Sequence, residues 1–422
     1  MTDHDREFDL VVWGATGVAG RLTADYLTEQ YSPDELTLAI GGRSEQRLND
    51  LAADLTAEYD EWDEVPIVLG DATDRESLDE LAERTKVVCT TVGPYTEYGS
   101  GLVEACVDAE THYCDLTGEV TWTREMIDRH HDDAVEAETR IVHSCGFDSV
   151  PADFGTYLAQ TYAKEEFGSC CGEVRIYLED GSGEVSGGTL ASAATMFEAA
   201  STDSTAHEVL RNPYSLAPPD EREGVDPGEQ RGARRDPLRR IWTAPSPMAA
   251  INERVIRRSN ALLGYPWGRE FRCTEVLPIG EGLGGMATAN AVAGGLGLAT
   301  AGLSIGPVRE AMERFVFPDP GEGPDKEEAE KGHFEVRVLG QGANEDGPFV
   351  VESVIAADQD PGYGATARML GESAICLVLD EVDSPLAGGV LTPASGIGEP
   401  LADRLRGAGL TVEVGTWDGD ED

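Results

Sequence analysis

In the stretch FDLVVWGATGVAGRLTADYL, Gly14, Gly17 and Gly20 follow a short apolar run and open a segment with Val18, Leu22, Tyr26 and Leu27 at helical spacing. Three glycines alone are a weak signal, but a strand before them and a helix after them is the setting a phosphate-cradling turn requires. Gly14 lets the chain turn sharply, Gly17 lets the backbone approach a pyrophosphate, and Gly20 lets helix and strand pack closely. Thr16 and Val18 complete the set of loop residues expected against the coenzyme. The helix from Val18 points its unpaired N–H groups and the positive end of its dipole at the phosphates. The nucleotide is chosen at the end of the second strand, in AIGGRSEQRL, where an NAD site carries a carboxylate. Here the position holds Arg43 and Ser44, which suit the 2′-phosphate of NADP(H). Ser44 also reads as the N-cap of the next helix, and Asp71 in GDATD as either a contact to the adenine end or a helix cap.

The elements needed to hold these residues are legible as an alternation. Apolar runs at Phe8–Trp13, Leu36–Ile40, Val65–Leu69, Val87–Val92, His112–Leu116 and Arg140–Ser144 are separated by amphipathic stretches. Short connections between alternating strands and helices predict a parallel sheet covered on both faces, a Rossmann-type doubly wound α/β domain over 1–150. The style changes after Pro151. Alternating patterns at Glu173–Glu179, His333–Gly340 and Phe349–Ala357 predict a second mixed α/β domain over 151–362, for substrate or dimer contacts. Thr189–Ala200 reads as helical and His207–Arg240 as loop. Ala365–Leu379 is apolar enough for a helix buried on more than one side, so 363–422 is a candidate to return to the first domain.

With GATGVAG, GGRS, TTVGPYTEYG, HYCDLTGE and SCGFDSVPAD in that order, the chain resembles the saccharopine dehydrogenase-like oxidoreductases, in the branch of the trans-acting enoyl reductases. Later stretches such as DPGYGATARMLGESA and GGVLTPASG carry the resemblance over most of the chain. It implies an NADP(H)-binding domain, a mixed α/β second domain, and a lipid-like or amino-acid substrate. Of the shared motifs, Thr91, Val92, Gly93 and Pro94 end the fourth strand at the edge where the nicotinamide ribose of such a fold lies. Tyr95 then either supplies a proton during reduction or packs on the ring as a lid. Tyr113, Asp115, Thr117 and Glu119 are candidates to line the same cleft. Asp148 and Ser149, before Pro151, read as helix caps first and ligands second.

Composition narrows the field further. Eighty carboxylates face 32 basic residues, a formal net charge of −48, and only four of the basic residues are lysines. This profile is like that of proteins from salt-accumulating halophilic archaea, whose surface repulsion is screened at molar salt. It excludes general binding to nucleic acid or to an anionic membrane. The eight cysteines form no CxxC and read as small buried residues of a cytoplasmic protein. His130-His131, among acids on a helical pattern, reads as a solvated face, and no metal is expected. Ser186-Gly187-Gly188-Thr189 lacks the spacing of a nucleophile elbow. The arginines of RGARRDPLRR (Arg231, Arg234, Arg235, Arg239, Arg240) suit an acidic carrier protein or cofactor phosphates, or simply pair with local carboxylates. Gly282–Val308 holds no charged residue; its glycines and alanines favour a buried segment, hairpin or homodimer contact, with peripheral membrane association as the alternative. The expected function is NADP(H)-dependent reduction of a C=C or C=O in a lipid-related substrate. The alternatives are a saccharopine-type amino-acid dehydrogenase and an NADPH-binding sensor or scaffold without turnover.

Overall fold

The run FDLVVW becomes β1 (Phe8–Trp13), and its two faces are both buried: Leu10 and Val12 on one side, Val11 and Trp13 on the other. A strand buried on both faces belongs inside a helix-covered parallel sheet. In the computed structural model, which describes residues 6–182, 203–303, 305, 306, 308, 323–379 and 382–419, that sheet has seven strands. They are β1, β2 (Leu38–Gly42), β3 (Ile67–Leu69), β4 (Thr85–Thr90), β5 (His112–Asp115), β6 (Arg140–Val142) and, from much later in the chain, Gly389–Leu391. Every pairing is parallel. The order β3-β2-β1-β4-β5-β6 reverses direction between β1 and β4, and ligands of such sheets bind at the carboxyl ends beside that reversal.

The second sheet also has seven strands and is mixed. Glu173–Ser182 pairs in parallel with Arg272–Gly280 and antiparallel with His333–Asn344, which pairs antiparallel with Gly347–Ala357. Thr411–Thr416 adds to the outer side of Gly347–Ala357, so the C-terminal stretch serves both sheets rather than returning as one block. A single apolar core runs from Leu10 and Ile40 through Met369 and Leu370 of helix Thr366–Val378 to Val338 and Ile355 of the second sheet. The carboxylate of Glu372 on that helix accepts from the hydroxyls of Tyr26 (2.5 Å) and Tyr31 (2.8 Å), pinning it to the helix Val18–Gln30.

Four readings of the sequence need correction. His131 is half-buried because strand Gly389–Leu391 covers it, Val390 N donating to its Nδ1 at 3.1 Å; His130 is buried on the side of helix Ser100–Asp108, whose Glu104 and Asp108 act on it, and burial lowers both pKa values. His207–Arg211, the start of the expected loop, belongs to a helix (Ser204–Arg211) capped by the Asp203 carboxylate. Ser149 sits at the N-cap of helix Val150–Phe167 without capping it, since its hydroxyl donates to Asn252 Oδ1 instead. Gly282–Leu303 is neither buried nor a hairpin but one 22-residue helix on which only Ala289 is buried. The expected helix at Thr189–Ala200 and the Ser186–Thr189 turn lie outside the described residues.

Candidate coenzyme and substrate site

Gly14 adopts a φ of +87°, and a Cβ there would lie 2.7 Å from Val92 Cγ2. At Gly20 a Cβ would lie 2.3 Å from the carbonyl oxygen of Gly14, so no side chain fits where helix meets turn. Gly17 is different: it is exposed, and its missing Cβ faces nothing nearer than Gly14 O at 3.4 Å. The turn is tied down by Gly14 N and Ala15 N donating to Gly41 O (2.9 and 3.1 Å) and by the Thr91 hydroxyl donating to Gly14 O (3.3 Å). No side chain caps helix Val18–Gln30 and its first turn holds no acid, which leaves its leading amides for an anion. Thr16 and Val18 are half-buried beside them. A backbone cradle closed below by glycines and open above fits a pyrophosphate.

Arg43 follows β2 directly, is exposed, and has no ion pair among the described residues. Ser44 caps helix Glu45–Glu58, accepting from Arg47 N at 3.5 Å. The Asp71 carboxylate accepts from Thr73 N (2.8 Å) and Oγ1 (2.7 Å), and the helix behind it is capped by Asp74 instead. Those bonds, with a smaller contribution from Arg43, hold the Asp71 carboxyl below its usual range. The guanidinium and this carboxylate therefore flank one corner of the sheet, beyond β2 and β3.

Past β4, Thr91 and Val92 are half-buried and Gly93 is exposed, while Tyr95 turns inward. The Tyr95 hydroxyl donates to Thr90 O (3.2 Å) and accepts from Leu116 N (3.4 Å), and its ring lies 5.2 Å from that of Trp122. Burial above all pushes its pKa well up. Glu119, buried, holds the turn from the other side: its carboxylate accepts from Tyr95 N, Thr96 N (both 2.9 Å) and Thr96 Oγ1 (2.5 Å). Asp115 joins the ends of β5 and β6, accepting from Tyr113 Oη (2.8 Å), Thr117 N and Ser144 N (3.0 Å each), and lying 2.7 Å from His143 Nδ1. Ser144 is held at φ +65°, its hydroxyl donating to Thr117 O at 2.7 Å. Strain of that kind persists only where neighbours over-determine the backbone.

The loop after Ser144 bridges the two sheets. Cys145 N donates to Asp115 O (2.7 Å), Phe147 N to Thr366 Oγ1 (3.1 Å), and the Phe147 ring meets Phe334 at 4.8 Å. Between these anchors Asp148 has no hydrogen-bond or ion-pair partner among the described residues. It is half-buried by its own surface but walled in by protein, and burial pushes its carboxyl up to about 6. A Cβ on Gly118 would lie 3.5 Å from Asp148 Oδ2 and 3.0 Å from Ile251 Cδ1. Glu275 is an acid that feels the Asp148 charge. It is fully satisfied by Ser246 Oγ (2.5 Å) and Asn252 Nδ2 (2.6 Å) and raised in pKa by burial and then by Asp148.

Residues 10–142 match the saccharopine dehydrogenase NADP binding domain. Trans-acting enoyl reductases of Mycobacterium ulcerans and Mycobacterium tuberculosis (strain ATCC 25618 / H37Rv) are 36% identical over 428 and 431 residues, covering 98% of this chain and 99% of theirs. The chain belongs to the trans-acting enoyl reductase family. The saccharopine dehydrogenase (L-Glu forming) of Saccharomyces cerevisiae shares the fold, with a TM-score of 0.51 at 14% identity over 97% of this chain and 99% of that one. This trans-acting enoyl reductase relative is thus an NADP-dependent oxidoreductase with a Rossmann-type domain and a second mixed sheet. Within the family frame, Gly14, Thr16, Gly17, Val18, Gly20, Thr91, Val92 and Gly93 come together along one edge of the first sheet, with Arg43 and Asp71 at its far corner. Sequence reasoning ranked Asp148 as a cap and missed its isolation, because its neighbours Gly118 and Glu275 are remote in the chain.

Proposed function

We propose that the protein uses NADPH to reduce the C=C of an enoyl group on an apolar, lipid-related acyl chain, in the cleft bounded by the loops after β4, β5 and β6. The observation that carries this reading is Asp148: a carboxyl without a partner among the described residues, beyond the carboxyl ends of β5 and β6, that burial pushes up to about 6. A carboxyl tuned to that range is suited to hold a proton and give it up near neutrality. NADPH would be held along the glycine loop and Thr91–Pro94, with Arg43 on the 2′-phosphate, and would supply the hydride taken up at the β-carbon. Asp148 Oδ2 would hold the proton that the α-carbon takes as the C=C electron pair moves to it, and bulk solvent would return a proton to the carboxylate. Glu119 and Asp115 fix the two turns that border the cleft.

In this reading Tyr95 is a positioning residue, because its hydroxyl already bonds Thr90 O and Leu116 N. Tyr95→Phe is expected to cost about 1–2 kcal/mol of stability by orphaning those backbone groups, with kcat changed less than about three-fold. Thermal melts and initial rates measure both, and a kcat loss of about 10²-fold would restore Tyr95 as the proton source.

A dicarboxylate amino-acid substrate would need unpaired arginines, but those of helix Ala249–Leu262 beside the cleft are committed. Arg257 pairs with Asp226 (2.8 Å) and Glu253 (2.9 Å), while Arg258, which makes no ion pair among the described residues, is buried and spends its two terminal nitrogens on the carbonyls of Leu216 and Val390 (2.5 Å each). The function test is NADPH consumption at molar salt with a medium-chain 2-enoyl thioester, set against a 2-oxo acid plus an amino acid. Formation of the saturated thioester supports the proposal. Turnover only with the oxo acid and amine, or coenzyme binding without turnover of either, overturns it.

A further inference from the structure

The helix Gly282–Leu303 leaves the end of strand Arg272–Gly280 and belongs to neither core. Its 22 residues make it about 33 Å long, close to the thickness of a bilayer's hydrocarbon. Its most apolar window has a mean hydropathy of 1.2, and only 11% of that window is buried. Leu283 is 80% exposed and Leu298 77% exposed, in a chain whose formal charge is −48. The row Gly285, Met286, Ala289, Val292, Ala293 and Leu296 is the less exposed side, and the remaining faces carry no charge to mark a water-facing stripe. A helix that is apolar all round needs cover on several sides, which hydrocarbon gives and a single flat protein partner does not.

Two further observations favour lipid. Two of the three polar side chains on the helix are turned onto its own backbone: Asn290 Nδ2 donates to Met286 O and Thr300 Oγ1 to Leu296 O, each at 2.8 Å. Internal satisfaction of that kind is what a low-dielectric surrounding demands. A second copy of the chain would also bring its own net charge of −48, whereas hydrocarbon is uncharged.

We infer that the helix Gly282–Leu303 embeds in the hydrocarbon of a lipid layer and enters and leaves it on the same side. A single crossing is excluded because Gly323 returns to the folded body, where a Cβ would lie 3.0 Å from Val18 Cγ1 and 3.1 Å from Tyr363 Oη. Contacts along strands Trp242–Pro245 and Arg272–Gly280 keep the helix alongside the second sheet. The same acid surface that repels anionic headgroups makes attachment depend on salt and on uncharged lipid.

The test is flotation of the full chain with phosphatidylcholine vesicles in about 2 M KCl, where the Debye length is below about 3 Å. The wild type is expected to float with the vesicles. Leu283→Asp combined with Leu298→Asp is expected to lower the floating fraction at least about ten-fold, since a carboxylate within a lipid-embedded helix is strongly disfavoured. Both residues are exposed, so the variant keeps its NADPH affinity, which serves as the check on folding. The inference is overturned if the wild type stays with the soluble fraction, or if the double variant floats equally. It is also overturned if the wild type is a dimer that the substitutions dissociate without any flotation, which would assign the helix to a second copy. Flotation reads no catalysis, so failure of the enoyl reduction would leave this inference standing.

Discussion

Asp148→Asn is expected to lower kcat/KM for an enoyl thioester by about 10²–10⁴-fold while NADPH affinity stays within about two-fold. The loss follows because Asn is nearly isosteric but has no carboxyl proton to give, and the nearby acid Glu275 is occupied by Ser246 and Asn252. The pH profile carries the sign. Asp148 is raised from 3.8 to about 6 by burial, so the wild-type rate should fall as pH rises through about 6, and the residual rate of the variant should not. Stability gives a second readout. A carboxyl with a raised folded pKa contributes stability that is present below about 3.8 and lost as pH rises through about 6. Asp148→Asn should therefore match the wild type at acid pH and exceed it by about 1–2 kcal/mol at pH 8, allowing for the partial solvent contact of the group. Melting curves at both pH values decide the matter. A purely structural Asp148 would make the variant less stable at pH 8, and that result would falsify the assignment.

The elements that were legible in the sequence are those whose cause is local. The glycine turn follows from three residues and a flanking strand and helix, and Arg43 follows from its place one residue past β2. The parallel sheet follows from apolar runs without polar alternation. What was not legible depends on partners far along the chain. The acids around His130-His131 suggested solvent, but Gly389–Leu391 lies over His131 and His130 is buried. Tyr95 sits in a motif that says where the backbone turns and not which way the ring points, and Glu119 with Leu116 N decides that. Ser149 had a free choice between capping its own helix and reaching Asn252, and took the latter. The uncharged run from Gly282 was misread for a different reason. Lack of charge reports an apolar surrounding, and within the described residues that surrounding is not the protein's own core.

Arg43→Glu is expected to weaken NADPH binding by about 10–100-fold and to leave NADH binding unchanged or improved. The glycine cradle cannot distinguish the two coenzymes, because it meets only the pyrophosphate that both share. Discrimination must come from a group at the ribose, and Arg43 is an exposed cation beyond β2 with no ion pair among the described residues. Reversal of its charge adds a carboxylate beside Asp71, whose own carboxyl Arg43 now helps to hold low. A 2′-phosphate would then face two anions, while a 2′-hydroxyl gains an acceptor. A close charge-assisted contact of Arg43 with the phosphate would survive molar salt better than long-range attraction does, so the preference for NADPH should shrink only modestly from dilute to concentrated KCl. Fluorescence titrations with both coenzymes across a salt series measure this. If NADPH affinity is untouched by the substitution, the phosphate is read elsewhere. A preference that vanishes at high salt in the wild type would mean that the general field around the site had been doing the selecting, and in a chain this acidic that field has the wrong sign for the task.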